Sequence, residues 1–230
     1  MSDLTPVLVV TPHPDDAEGG AGGAIVRWAR EGRNVILVVC TKGDKGTSDR
    51  DLKPPELVKI REAEQRRAAD ILGVSELIFL GFPDQGLEDC SEFREKIVRE
   101  IRRHQPGTVV TIDPYRRYLR HRDHAMCGRV TMDAIFPYAR DHLSYPEHLE
   151  AGLEPHKVGE LYLWGSEEPD AFLDISNTFD AKMDALYCHA SQMKRPREER
   201  EARTREHYST FGKRIGVALA EPFKRIEINR

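Results

Sequence analysis

The feature that most constrains the fold is a regular alternation of short apolar runs with longer amphipathic ones. Four short runs, rich in β-branched residues, predict buried strands at 7–11, 35–41, 76–80 and 108–112. Helical patterns fill the intervals between them, at 20–31, 56–72 and 91–104. Gly32 and Gly73 follow two of these patterns, where helix C-terminal glycines belong. Strands that alternate with helices in this way form a mostly parallel sheet covered by helices.

The second half of the chain has a weaker pattern, which predicts further elements added to the same fold. We expect a helix at 123–136, a loop at 140–157, strands at 158–164 and 171–175, and a helix at 177–192. Segment 195–201 mixes both charge signs, which predicts a solvated helix face with i,i+4 ion pairs. The prediction is a single domain over residues 1–230, a Rossmann-like three-layer α/β fold. Its core covers about 6–136, and a smaller C-terminal α+β portion, about 137–230, completes it.

Composition narrows the classes of partner and the compartment. The net charge of −4 and the pI near 6.2 provide no broad basic field, so we expect no nucleic-acid partner. No stretch approaches the roughly 18 apolar residues of a membrane span, and the N-terminal residues lack the pattern of a signal peptide. The four cysteines are scattered without C-x-x-C pairs, which is typical of reduced thiols. These features predict a cytoplasmic protein.

A cluster of ionisable residues follows the first predicted strand directly, in the stretch T-P-H-P-D-D-A-E-G-G at 11–20. In an open parallel sheet, ligands bind beyond the carboxyl ends of the strands. His13 and Asp16, three residues apart, would aim an imidazole and a carboxylate at one point. Asp15 would project differently and stay free for proton transfer. We expect Glu18 to stabilise the helix start or to support the site.

A second cluster follows the fourth predicted strand, where His121 and His124 lie three residues apart with Asp123 between them. In the common doubly wound order, strands one and four are neighbours at the point where the sheet reverses direction. The two clusters, about a hundred residues apart in sequence, are therefore predicted to meet in one crevice.

Two histidines and one carboxylate with open positions are typical of a catalytic zinc site. Zinc would lower the pKa of its bound water towards about 7 and polarise a carbonyl. Asp15 would then take the proton of the water, and the remaining histidine would donate to an oxyanion or a leaving amine. The combination predicts an amide hydrolase. Iron-dependent oxygenation shares the same ligand set, but the parallel α/β pattern does not favour it.

These residues resemble the LmbE/PIG-L family of zinc-dependent N-acetylglucosamine-type de-N-acetylases. The first family motif, H-P-D-D-x-E, is complete at 13–18, and the second, H-x-D-H, is 121–124. The similarity extends over about 7–192 and includes R-E-A-E at 61–64, L-G-F-P-D at 80–84 and H-A-S-Q at 189–192. The second motif often reads H-P-D-H, and here Arg122 replaces the proline.

The resemblance implies a function and a role for each residue of the two motifs. The chain would remove an N-acetyl or related N-acyl group from an amino sugar or sugar conjugate, using a metal-activated water. The implied roles are metal ligation by His13, Asp16 and His124, general base catalysis by Asp15, oxyanion stabilisation or amine protonation by His121, orientation of a histidine by Asp123, and sugar contacts by Arg61 and Asp84. The metal would be Zn²⁺, with another divalent ion such as Fe²⁺ as an alternative. The family often forms trimers or hexamers, so a homo-oligomer is an expectation.

Other interpretations of the same residues stay open. The glycine run at 19–23 invites a dinucleotide-binding interpretation, or a non-catalytic module on the same sheet. The run lacks the third glycine of that fingerprint, and close packing of the helix on the sheet is the favoured interpretation. Cys127 is a candidate fourth ligand but is predicted to be a buried helix residue. His189 is predicted to be a satisfied core or capping histidine, and His142, His148 and His156 to be surface residues.

Overall fold

One seven-stranded sheet runs through the whole protein, in the order β3-β2-β1-β4-β5-β7-β6. The structure is a computed structural model that describes residues 4–118 and 120–228. The strands are β1 (Val7–Thr11), β2 (Val35–Thr41), β3 (Glu76–Phe82), β4 (Thr108–Ile112), β5 (Glu160–Trp164), β6 (Ala171–Asp174) and β7 (Ala220–Glu227). The first five strands are mutually parallel, and β7 pairs antiparallel with both β5 and β6.

Helices cover both faces of the sheet and give the predicted three layers. They are α1 (Asp16–Arg30), α2 (Pro54–Leu72), α3 (Ser91–His104), α4 (Arg122–Asp133), α5 (Glu147–Glu150), α6 (Phe179–Tyr187) and α7 (Arg197–Ile215). Helices α1, α2 and α6 pack together, and α3 packs with α4. The α/β prediction is confirmed. No helix in the described ranges is long and apolar enough to cross a membrane.

The pairing of β1 with β4 brings the two sequence clusters together. Val7 is opposite Thr108 and Val9 is opposite Val110, so the two strands end side by side. Every residue of both strands is buried, as expected for central strands covered on both faces. The loops that follow β1 and β4 therefore leave the sheet at the same place, which is the switch point of the strand order.

The glycines of α1 allow that helix to lie close to the sheet, as predicted. A Cβ atom at Gly20 would lie 2.2 Å from the indole of Trp164 on β5. One at Gly23 would lie 2.6 Å from the side chain of Ile175. Only a residue without a side chain fits at these two positions, which explains the glycine run as packing.

The C-terminal half differs from the prediction in several places. Strand β7 was not predicted, because its sequence contains Pro222 and the adjacent charges of Lys224 and Arg225 interrupt the alternation typical of a strand. The helix predicted at 123–136 ends at Asp133 and continues as a π-helical turn, Ala134–Tyr138, with extended backbone at Phe136. The prediction for His148 was wrong: it is buried, and its Nε2 atom lies 2.7 Å from Glu95 Oε1.

Candidate functional site

Three imidazole rings meet at the carboxyl ends of β1 and β4. His13 is buried in the loop after β1, and His121 and His124 lie at the start of α4. The ring centroid of His13 is 4.7 Å from that of His121 and 5.3 Å from that of His124. The two motifs identified in the sequence thus form one cluster.

Asp16 joins two of these rings on one side of His13. Its Oδ2 atom lies 2.9 Å from His13 Nδ1 and 3.2 Å from His124 Nε2. Burial opposes ionisation of Asp16, but hydrogen bonds to the two histidines lower the pKa of its carboxyl group. The three residues predicted to share a metal therefore contact one another directly.

Two further carboxylates meet the opposite nitrogen of His13. Asp84 Oδ1 and Asp123 Oδ2 each lie 3.1 Å from His13 Nε2. Asp123 is fully buried and also accepts hydrogen bonds from the backbone N–H groups of Gln85 and Leu87. Burial alone would lower the pKa of His13, but the surrounding carboxylates outweigh it and raise that pKa to about 12.

Asp15 has a left-handed backbone conformation, with φ 93° and ψ −25°. Its backbone N–H donates to Gln65 Oε1 at 3.3 Å, and its carboxylate lies 3.4 Å from a guanidinium nitrogen of Arg61. Burial and the neighbouring Asp16 charge raise the pKa of Asp15 to about 7. A carboxyl group with a pKa near neutrality is suited to accept and return a proton.

Arg61 and Asp84, predicted to contact a sugar, both lie within or against the cluster. The Arg61 guanidinium is buried and donates to the backbone oxygens of Pro14, Gly43 and Lys45. It therefore braces the loop that carries the first motif. The sugar contacts of both residues stay a prediction.

His121 caps α4, since its Nδ1 atom accepts a hydrogen bond of 3.2 Å from the backbone N–H of Asp123. Burial and the charge of His13 lower the pKa of His121. Arg122, which replaces the usual proline of the motif, is exposed and forms an ion pair with Glu88.

Two buried polar residues near Asp15 and Glu18 were missed or misjudged from the sequence. Gln65 is fully buried and donates to Glu18 Oε1 at 2.7 Å, so it links Asp15 to Glu18. The nearest contact of His189 with Glu18 is 3.6 Å, and neither ring nitrogen has a hydrogen-bond partner among the described residues. The interpretation of His189 as a satisfied histidine was wrong. The signal for Gln65 was its helical spacing from Arg61, which places both residues on the face of α2 that also buries Leu57 and Leu72.

The cluster offers two sets of donor atoms that could hold a metal ion. The sets are His13 with His121 and His124, and His13 with Asp84 and Asp123. The carboxylates of Asp16, Asp84 and Asp123 contact these rings, and the Arg61 guanidinium contacts the carboxylates of Asp15 and Asp84. A divalent cation would neutralise this excess of negative charge. The carboxylates of Asp15 and Asp16 lie at the start of α1 and would repel the phosphates of a dinucleotide there.

Comparison with known proteins identifies relatives over most of the chain. The family model described as PIG-L, GlcNAc-PI de-N-acetylase, matches residues 8–135. Diacetylchitobiose deacetylase from Thermococcus kodakarensis is 35% identical over 192 residues, covering 84% of this chain and 72% of that protein. A probable N-acetyl-alpha-D-glucosaminyl L-malate deacetylase 2 from Bacillus cereus is 30% identical over 206 residues, covering 86% and 88%.

A solved structure agrees with these matches over almost the whole length. N,N'-diacetylchitobiose deacetylase from Pyrococcus horikoshii, complexed with its inhibitor MPG, has a TM-score of 0.91 at 30% identity. The alignment covers 98% of this chain and 85% of that one. The relatives named here are deacetylases, which are hydrolytic enzymes acting on N-acetyl amide bonds.

Proposed function

Because the chain belongs to the PIG-L family, we propose that it is a hydrolase that removes an N-acetyl or related N-acyl group from an amino sugar or sugar conjugate. The observation that carries this proposal is the meeting of the two motifs in one cluster, with the Asp15 carboxylate held against Arg61 at its edge. The names of the relatives give diacetylchitobiose and N-acetyl-alpha-D-glucosaminyl L-malate as substrates, and both are starting points for assay.

We infer that His13, Asp16 and His124 hold the metal, which is Zn²⁺ or, as the alternative, Fe²⁺. The contacts of the two His13 ring nitrogens support this choice. Asp84 and Asp123 contact Nε2, while Asp16 contacts Nδ1. If Nε2–H donates to the carboxylate pair, Nδ1 keeps its lone pair beside Asp16 and His124. A bound metal supplies Lewis-acid polarisation of a carbonyl and lowers the pKa of water towards about 7.

We assign the proton transfers of the reaction to Asp15 and His121. Asp15 accepts the proton of the attacking water, and its raised pKa makes it able to hold that proton at neutral pH. His121, on the other side of His13, then stabilises the developing oxyanion or delivers a proton to the leaving amine. Asp123 is a positioning residue, because its carboxylate fixes the ring of His13.

The substrate would approach over the rim of the cluster. Asp15 retains about a fifth of its side-chain exposure, and Asp16 a similar fraction, so both carboxylates can be reached from solvent. We propose that Arg61 and Asp84 contribute to sugar recognition mainly through the loops they hold. Arg61 braces the first motif, and the backbone of Asp84 is tied to the loop after β2 by Asp44 and Lys45.

The test is release of free amine from N,N'-diacetylchitobiose and from the malate conjugate by the metal-loaded protein. Asp15→Asn keeps the size of the side chain but removes the base, so we expect kcat to fall by about 10² to 10⁴. Asp70→Asn, on the exposed side of α2, is the matched control and should retain full activity. Equal amine release by wild type and Asp15→Asn would contradict the role of Asp15. No release by wild type loaded with either metal would contradict the proposed function itself.

A further inference from the structure

A separate cavity, which we call the basic cavity, lies between α6, α7 and the first turn of α1. Its volume is about 280 Å³, and its walls include Arg195, Arg200, Arg203 and His207. None of the residues that line it is an Asp or a Glu. It shares no residue with the imidazole cluster. In a chain of net charge −4, this concentration of positive charge is a local feature that the overall composition does not explain.

Two arginines of α7 that lie outside the basic cavity form ion pairs with carboxylates. Arg197 pairs with Asp184 at 2.6 Å, and Arg205 pairs with Asp180 at 3.2 Å and also contacts Glu201. These carboxylates lie outside the basic cavity.

The arginines that line the cavity lack such partners. Arg200 and Arg203 form no ion pair within the part of the chain that the structure describes. Arg195 has a single long contact of 3.9 Å with Glu199, and both side chains are more than half exposed. Together with His207, Arg200 and Arg203 occupy positions i, i+3 and i+7, which form one face of the helix. The unpaired guanidinium groups are therefore directed at one space.

The buried polar groups at the base of the cavity already have hydrogen-bond partners. Lys182 is fully buried, and its ammonium group donates to Glu18 O, Gly19 O and Glu221 Oε1, each at 2.8 Å. Tyr208 is also buried, and its hydroxyl donates to Gly19 O at 3.1 Å. Lys182 has no proton left for a ligand, so direct contacts would come from the arginines and from the hydroxyl group of Thr204 in the wall.

We propose that the basic cavity binds a small phosphate-bearing ligand. Guanidinium groups form paired, charge-assisted hydrogen bonds with phosphate oxygens, and three of them can satisfy a dianion from several sides. The volume accommodates a phosphate group with a small organic substituent, being just below the roughly 300 Å³ at which pockets for larger ligands begin. This site lies beyond the proposed hydrolase function, and its test does not depend on activity.

Isothermal titration calorimetry of the full, metal-loaded chain tests the proposal with two probes. One is inorganic phosphate and the other is glycerol 3-phosphate, each at constant ionic strength adjusted with chloride. Saturable 1:1 binding of either probe is expected at concentrations below about 10 mM. Tighter binding of glycerol 3-phosphate would identify a phosphate monoester as the ligand class, and tighter binding of inorganic phosphate would identify free phosphate. Absence of binding by both probes would overturn the proposal.

Variants distinguish this cavity from other anion sites, including a bound metal. The double variant Arg200→Gln, Arg203→Gln is expected to weaken binding by at least about tenfold, because it removes two charged donors. Arg205→Gln on the same helix removes the same charge outside the cavity and should change the dissociation constant by less than about twofold. Unchanged binding by the double variant, or an equal loss in Arg205→Gln, would overturn the proposal. All these residues are at the surface or near it, so circular dichroism should be unchanged.

Discussion

At the scale of single residues, the backbone of Asp15 is the most constrained part of the site. A left-handed conformation costs a non-glycine residue about 1–2 kcal/mol. The conformation persists because Gln65 binds the N–H of Asp15 from one side and Arg61 binds the carbonyl of Pro14 from the other. Local strain held in place by buried partners is typical of functional sites. The carboxylate of Asp15 contacts Arg61, whereas that of Asp16 contacts His13 and His124, so the two adjacent acids have different partners.

Asp123 provides a test of positioning that does not depend on turnover. In Asp123→Asn the buried carboxylate that holds His13 Nε2 loses its charge, while the size of the side chain is kept. We expect the affinity for Zn²⁺ to fall by about 10- to 100-fold, as for other groups that support a metal-binding histidine. Competition of metal-free protein with a chromophoric chelator measures this affinity. Asp70→Asn should bind Zn²⁺ like the wild type, and an unchanged affinity in Asp123→Asn would contradict the positioning role.

Sequence reasoning found the two motifs but not all of their contacts. The meeting of His13 with His124 was predictable, because parallel-strand topology determines where β1 and β4 end. The contact of Asp84 with His13 was not, because Asp84 follows β3, which lies two strands away from β1. The partners of Gln65 and His148 were also unpredictable, because Asp15 and Glu95 lie in other parts of the chain.

At the scale of elements, α1 offers a matched pair of glycine substitutions. Gly20→Ala would drive a methyl group into the buried ring of Trp164, so we expect a loss of about 1–3 kcal/mol in the free energy of unfolding. Gly19→Ala meets no atom within 4 Å and should be neutral or stabilise the protein by up to about 1 kcal/mol, since alanine favours helix. Urea unfolding compares the two variants. Equal stability of both would contradict the packing explanation of the glycine run.

The elements of the first half were predictable and those of the second half were less so, for a physical reason. Strands β1, β2 and β4 are buried on both faces, so their sequences are continuous apolar runs. Strand β7 is buried mainly in its first half, is partly exposed in its second half and contains Pro222. Its identity as a strand depends on β5 and β6, its neighbours on either side, and no local pattern contains that information.

At the scale of the whole molecule, the ion pair of Lys182 with Glu221 ties the C-terminal strands to α1. Glu221 on β7 accepts from the N–H groups of Gly23 and Ala24, while Lys182 binds carbonyl groups of the same helix. Burial alone would lower the pKa of Lys182, and the charge of Glu221 raises it instead. In Glu221→Gln the buried ammonium loses its counter-charge, so we expect a loss of about 3–5 kcal/mol in unfolding free energy.

An exposed ion pair on the same strand is the control for this prediction. Lys224 of β7 pairs with Asp170 at 2.6 Å, and both side chains are 40% or more exposed. Asp170→Asn should therefore cost less than about 1 kcal/mol. Guanidinium or urea unfolding of both variants gives the comparison. A loss in Glu221→Gln no larger than that in Asp170→Asn would show that the buried pair does not link the two parts.

The position of β7 between β5 and β6 has a consequence for how the protein is made. Both neighbours precede β7 in the chain, so during synthesis β6 has no partner in the sheet until residues 220–227 have left the ribosome. Until then Lys182 also lacks Glu221, and the packing of α6 against α1 is incomplete. The strands from β1 to β5 can pair as they emerge, because each is adjacent to a strand made earlier or made soon afterwards. The completed sheet is therefore a late event in synthesis, and the nascent chain carries an open edge at β5 until residues 220–227 emerge.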